Sequence, residues 1–129
     1  MGSTQHPGQQ GESGMNFNVR TENGAVIVAV EGEISIYNIG KLKDAVSSLQ
    51  QKGLNRIIFD LARVEYIDST AIKFFLTLTK ELGQGEGRLG LAGANHDVLE
   101  TFRITRVERF LNLHQDVPDA LLAAAPTAP

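Results

Sequence analysis

Apolar and polar positions alternate from Phe17, where Phe17 and Val19 point the same way between Asn16, Asn18 and Arg20. Glu22-Asn23-Gly24 then supplies turn chemistry before the run Ala25-Val26-Ile27-Val28-Ala29-Val30, so this stretch is predicted to form a β-hairpin. From Asn38 the period changes. Ile39, Leu42, Val46 and Leu49 recur at helical spacing while Lys41, Lys43, Asp44 and Gln50 lie off that face, which predicts an amphipathic helix closing near Gly53. Ile57-Ile58-Phe59 is too short for a helix and reads as a buried strand ending at Asp60, reached by a parallel crossover.

A second helix is predicted from about Ser69 to Leu82, with Ile72, Phe75, Leu76, Thr79 and Leu82 on one face. On that reading Phe74 lies about 120° or more away, beside Thr77 and Glu81, and is either a contact for a partner or covered by a neighbouring element. Gly83 to Gly87 (GQGEG) follow a helix instead of opening one, so they form a turn and not a phosphate-cradling loop. Arg88 to Ala92 is a strand, Asn95 or Asp97 caps a third helix with Val98, Leu99 and Phe102 inward, and Phe110, Leu111 and Leu113 suggest a last short strand. Pro118 suits the first turn of a closing helix through about Ala124. The order ββαβαβαβα predicts an α/β fold with a mostly parallel small sheet, an N-terminal hairpin and helices connecting successive strands.

At 129 residues the chain has room for one domain, placed at residues 15–125. Residues 1–14 are a Gly/Ser/Gln/Pro mixture that reads as a flexible leader, and residues 126–129 as a tail. The net charge of -3 comes with no basic stripe, which argues against nucleic-acid binding. Cysteine is absent, so disulfides, thiolate catalysis and the usual zinc sites are excluded, and a reducing cytoplasm fits. No apolar run has the roughly 18–20 residues of a membrane helix. His6, His96 and His114 are too scattered to gather a metal, and no catalytic triad, carboxylate pair or P-loop is present, so neither an enzyme nor a cofactor is expected.

Leu61 to Leu76, LARVEYIDSTAIKFFL, resembles the STAS family, and within it the small bacterial anti-sigma factor antagonists. In that family a strand ending in aspartate, here IIFD, leads past an aromatic residue into Asp-Ser-Ser or Asp-Ser-Thr at a helix start, here Asp68-Ser69-Thr70. Gly32-Glu33-Ile34 and the Val98-Leu99, Phe102, Val107, Phe110 ending also fit, so the resemblance spans about Phe17 to Leu122. Two positions depart from it: Ala71-Ile72 stands where a small glycine often follows the hydroxyl pair, and Ser35 where many members carry aspartate.

The resemblance implies a cytoplasmic phosphoprotein, monomeric or weakly dimeric, whose partners are an anti-sigma factor that is itself a serine kinase and a PP2C-type phosphatase. It further implies phosphorylation at Ser69, with Thr70 the alternative acceptor. Binding would occur in the unphosphorylated form and release the sigma factor for transcription. Asp68, Ser69, Thr70, Lys73 and Phe74, together with Asp60, form the candidate partner-binding set. Read from the residues alone, Asp68-Ser69-Thr70 are helix-capping groups, and Asp60 is equally well a strand-end carboxylate bonding loop amides. A different class of role is a STAS interaction subunit that is never phosphorylated, such as one serving the ATPase of a lipid-transport complex.

Overall fold

The computed structural model describes residues 14–83 and 89–124. The expected leader up to residue 13, the glycine turn from 84 onward and the tail at 126–129 lie outside them.

Two antiparallel strands, β1 (Met15–Glu22) and β2 (Ala25–Ile34), form the predicted hairpin, with Asn23 and Gly24 both at positive φ in the turn. The helix α1 (Ile39–Gln51) leads to β3 (Ile57–Ile67), α2 (Ser69–Leu82), β4 (Leu89–Ala92) and α3 (His96–Ile104). A short 3₁₀ turn at Glu108–Phe110, the two-residue β5 (Leu113–His114) and α4 (Val117–Ala124) complete the chain. The strands lie in sequence order β1-β2-β3-β4-β5, and every pair after the hairpin is parallel. The α/β architecture with a mostly parallel sheet is therefore as expected.

One sheet face carries Val26, Val28, Val30, Ile57, Phe59, Leu61, Leu89 and Leu91 into the main core, where α1 contributes Ile39, Leu42 and Val46 and α2 contributes Ala71, Ile72, Phe75, Leu78 and Leu82. Val98 and Phe102 of α3 join the same core. The other face holds Ala25, Ile27, Ile58 and Ala92 against Ala120 and Leu121 of α4. Helices on both faces explain why these strands read as continuous apolar runs.

The strand predicted to end at Asp60 instead continues to Ile67. Its pairing with β2 shifts register between Ala29 and Glu31 and again between Gly32 and Glu33, each shift inserting an extra β3 residue. Past Asp60 the buried residues are consequently Leu61, Val64 and Ile67, a spacing that no longer alternates. Gly32 sits at φ +96, and a Cβ there would lie 2.1 Å from the Gly14 carbonyl oxygen, which accepts from Glu33 N–H at 3.0 Å.

Two smaller expectations also change, those for Leu99 and Phe110, and the choice of α3 cap is decided. Leu99 is 42% exposed and not in the core, because α3 turns only Val98 and Phe102 fully inward. Asn95, not Asp97, caps α3: its carbonyl oxygen accepts from Val98 N–H at 2.8 Å while its amide donates to the Val64 carbonyl at 3.0 Å. Phe110 closes the 3₁₀ turn and stays exposed beneath the Arg109 guanidinium, 5.2 Å from its ring centre, so the last strand shrinks to Leu113–His114.

Candidate functional site

The candidate residues gather where β3 runs into α2. Asp68 has extended backbone, and its carboxylate accepts from Ala71 N–H at 3.1 Å, the bond expected of an N-cap. The second carboxylate oxygen accepts from Ile36 N–H at 3.0 Å, and Asp68 N–H donates to the Ile34 carbonyl at 3.2 Å. Asp68 therefore pins the start of α2 to the β2–α1 loop. Ser69 is the first helical residue and its side chain is exposed, so the cap of α2 is Asp68 and not the serine. The N–H groups of the first turn have no partner inside a helix, and the positive end of the helix dipole faces Ser69.

Thr70 is half-buried, while Lys73 is exposed one turn beyond Ser69 on the same side of α2. Phe74 is not exposed. It is 8% accessible, packed edge-on to Phe59 with centroids 6.0 Å apart and 5.5 Å from Phe75. Ala71 and Leu78 are also buried, and including them moves the centre of the apolar arc toward Phe74 at about 100° per residue. Asp60 lies in the middle of β3, paired with Ala29 and Ala92, on the sheet face packed by α4. Seven residues of strand put it roughly 20 Å from the α2 start. Its carboxylate accepts from Ala62 N–H at 3.1 Å, the local role a strand carboxylate commonly takes. Asp68, Ser69, Thr70 and Lys73 are brought together; Phe74 is drawn into the core and Asp60 is elsewhere.

Beside this cluster stands a feature the sequence reading passed over. In the β2–α1 loop Ile36 is 63% and Tyr37 91% exposed, flanked by Ser35 and Asn38, which are buried. Asn38 holds the loop through its carbonyl oxygen, which accepts from Ser35 N–H at 3.0 Å, and its amide, which donates to the Glu33 carbonyl at 3.0 Å. Ser35 hydroxyl accepts from Tyr37 N–H at 3.2 Å. At Ser35, where many members of the family resembled carry aspartate, the hydroxyl thus has a structural duty. The pair Ile36-Tyr37 was detectable as two large apolar residues lying outside both neighbouring periodic segments, a placement that leaves them nothing to pack against.

Among the described residues no group of His, Asp and Glu is placed to hold a metal, and no helix is long and apolar enough to cross a membrane. The model of the STAS domain family matches residues 16–120, which takes in β1 from its second residue, β2 to β5 and α1 to α3. The chain belongs to the STAS domain family. An anti-sigma-B factor antagonist of Staphylococcus epidermidis is 27% identical over 103 residues, covering 78% of this STAS chain and 95% of that protein. Among solved structures, an anti-sigma factor antagonist from Mycobacterium paratuberculosis superposes with a TM-score of 0.78 at 22% identity, covering 88% of this chain and 96% of that one. SpoIIAA, a Bacillus cell fate determinant and anti-sigma factor antagonist, shares the fold in both of its solved states. Its unphosphorylated form gives a TM-score of 0.65 and its phosphorylated form 0.59, each at 16% identity and covering 80% of this chain, with 91% and 95% of the SpoIIAA chains covered.

Proposed function

We propose that this STAS protein is an anti-sigma factor antagonist that binds a serine-kinase anti-sigma factor and is released when Ser69 is phosphorylated. The observation that carries the reading is the exposed Ser69 hydroxyl at the first position of α2, presented by an Asp68 cap and bordered by the exposed Ile36 and Tyr37. Relatives that are named anti-sigma antagonists, one of them solved in a phosphorylated form, support it.

The partner kinase transfers the γ-phosphoryl group of ATP to the Ser69 oxygen, releasing ADP, and a PP2C-type phosphatase returns the hydroxyl by hydrolysis. The phosphate adds roughly -1.5 to -2 charge beside Asp68, at a surface that presents Lys73 together with the apolar side chains of Ile36 and Tyr37. The helix dipole tolerates that anion, so the domain stays folded while an apposed partner meets repulsion and a new desolvation cost. A coupling of about 1–3 kcal/mol changes affinity roughly 5- to 150-fold, enough to exchange one partner for another. Thr70, half-buried, is the poorer acceptor.

The test is to mix the full chain with candidate anti-sigma kinases and Mg-ATP and to follow intact mass and complex formation. Wild type is expected to gain one phosphate and lose binding, Ser69→Ala to bind without gaining mass, and Ser69→Asp to bind weakly. A kinase that binds the chain yet never adds mass refutes the switch, and a phosphate gained by Ser69→Ala moves the acceptor elsewhere.

A further inference from the structure

β1 is the outermost strand of the sheet, and among the described residues only its β2 side is paired. The hairpin decides which main-chain groups face the open side. Its two-residue turn, Asn23-Gly24, makes Glu22 and Ala25 a hydrogen-bonded pair, and at the far end Glu33 N–H donates to the Gly14 carbonyl, so the even-numbered residues of β1 bond to β2. Phe17, Val19 and Thr21 therefore turn their N–H and C=O groups outward. The other edge of the sheet, β5, is two residues long and offers little to pair with. β1 has eight residues in unbroken register with β2, and so lacks the short length, proline or bulge that commonly keep one sheet edge from adding to another. Its charged residues Arg20 and Glu22 pair with each other at 3.3 Å and leave the edge without net charge. The 43% exposure of Val19 means that no helix overhangs the middle of the edge.

We propose that this edge pairs with β1 of a second copy of the chain, antiparallel about a two-fold axis at Asn18, joining two five-stranded sheets into one. Main-chain bonding across the axis requires odd-numbered residues of the two copies to face one another. With the axis at Asn18, Phe17 of each copy exchanges main-chain bonds with Val19 of the other, and the overlap runs from Gly14 to Glu22. Phe17 is half-buried against the core, and the exposed Val19 of the other copy covers its open side. On the opposite face the two Asn18 amides meet and Arg20 lies opposite Asn16, so no like charges approach. An axis at Arg20 sets that residue against its own copy, and an axis at Val19 makes the two Arg20 side chains diagonal neighbours about 7–8 Å apart. Axes nearer Met15 shorten the overlap. Charge and overlap together select Asn18. The Met15 end of β1 lies beside Gly32, toward the Ile34–Ile67 pair that leads to Ser69. The dimer consequently points its two Ser69 ends in opposite directions and leaves both open, so that it presents two partner sites. Pairing uses none of the candidate site residues and does not depend on phosphorylation.

The full chain is followed by sedimentation velocity, where its mass is expected to rise from one chain toward two between about 1 µM and 1 mM, the weak range of a small interface. Val19→Pro removes an edge N–H that the β1–β2 ladder does not use, so the fold is kept, while the two-fold deletes the bond twice and weakens pairing about thirtyfold. Val19→Lys keeps every N–H and puts a charge beside the other copy's Phe17, so it decides the point if the proline variant unfolds. Because the chain has no cysteine, a single introduced thiol reports the register. Asn18→Cys sets two thiols on Cα atoms about 4.5 Å apart and is expected to give a disulfide dimer on mild oxidation, whereas Arg20→Cys, about 14 Å from its own copy, is not. A chain that stays monomeric at about 1 mM overturns the pairing and leaves the edge to a strand of another protein. A dimer that Val19→Pro and Val19→Lys leave unchanged, or equal cross-linking by the two cysteine variants, overturns it as well.

Discussion

Phe74→Ala tests the packing beneath the site. The ring is nearly buried, edge-on to Phe59 and beside Phe75, three aromatic residues joining β3 to α2. Truncating a buried Phe to Ala typically costs about 3–5 kcal/mol, because transfer energy is lost and a cavity remains. Phe74 lies at the flank of the buried arc, where neighbours collapse more easily, so the expected loss is about 3 kcal/mol. That is about a fifth to three-fifths of the roughly 5–15 kcal/mol that holds a typical domain folded. For a domain of this size it corresponds to a fall in Tm of about 10–15 °C. At an m-value near 1.5 kcal/mol/M the urea midpoint shifts by about 2 M. Tyr37→Ala, at an exposed side chain, is the matched control and stays within about 0.5 kcal/mol of wild type. Urea unfolding followed by circular dichroism measures both. A Phe74→Ala protein less than about 1 kcal/mol below wild type refutes the packing argument, and one that keeps its stability while losing partner binding returns Phe74 to the surface.

Two further outcomes follow from the hydrogen bonds. Asn38→Ala removes, at a buried position, the acceptor of Ser35 N–H and the donor to the Glu33 carbonyl, and is expected to cost about 2–3 kcal/mol in thermal unfolding. A loss under about 0.5 kcal/mol would show that the loop does not depend on Asn38. Asp68→Ala is expected to lose about 1 kcal/mol or more with the cap, whereas Ser69→Ala stays within about 0.5 kcal/mol. Equal losses for both, measured in the same denaturation series, would mean that the serine shares the capping role.

The hairpin, α1, the start of α2 and the closing helix were legible because each follows one period between turn or cap residues. The full length of β3 was not. LARVEYI puts its buried residues at Leu61, Val64 and Ile67, since two register shifts carry the inward face out of phase, and a period-two reading breaks at Asp60. Phe74 was misplaced for a related reason. Ile72, Phe75, Leu76, Thr79 and Leu82 define a face whose centre turns about 25° toward Phe74 once Ala71 and Leu78 are counted, and only the tertiary packing shows that α2 is buried broadly enough to take in Phe74. Asp68-Ser69-Thr70 announced a helix start, but the division of labour between a capping aspartate and an outward serine depends on the Ile36 amide, which is far away in sequence. Ile36 and Tyr37 carry no periodic signal of their own. Their exposure follows from the buried Ser35 and Asn38 on either side, which hold the loop in a shape that no local pattern encodes.

The irregular second half of β3 also bears on how such a domain diversifies. β4 stops pairing at Asp60 and β1 at Gly32, so Glu33–Ile34 and Tyr66–Ile67 form a two-stranded tongue that carries the serine out past the body of the sheet. Asn95 moors its base by bonding to the Val64 carbonyl. Side-chain changes at the outward Glu33 and Tyr66 of the tongue alter the recognition end while Ile34 and Ile67 stay in the core with the apolar rows from Val26 to Val30 and from Ile57 to Phe59. Descendants of one core can thus be fitted to different partners at little cost in foldability, with the bulged strand as the adjustable joint between them.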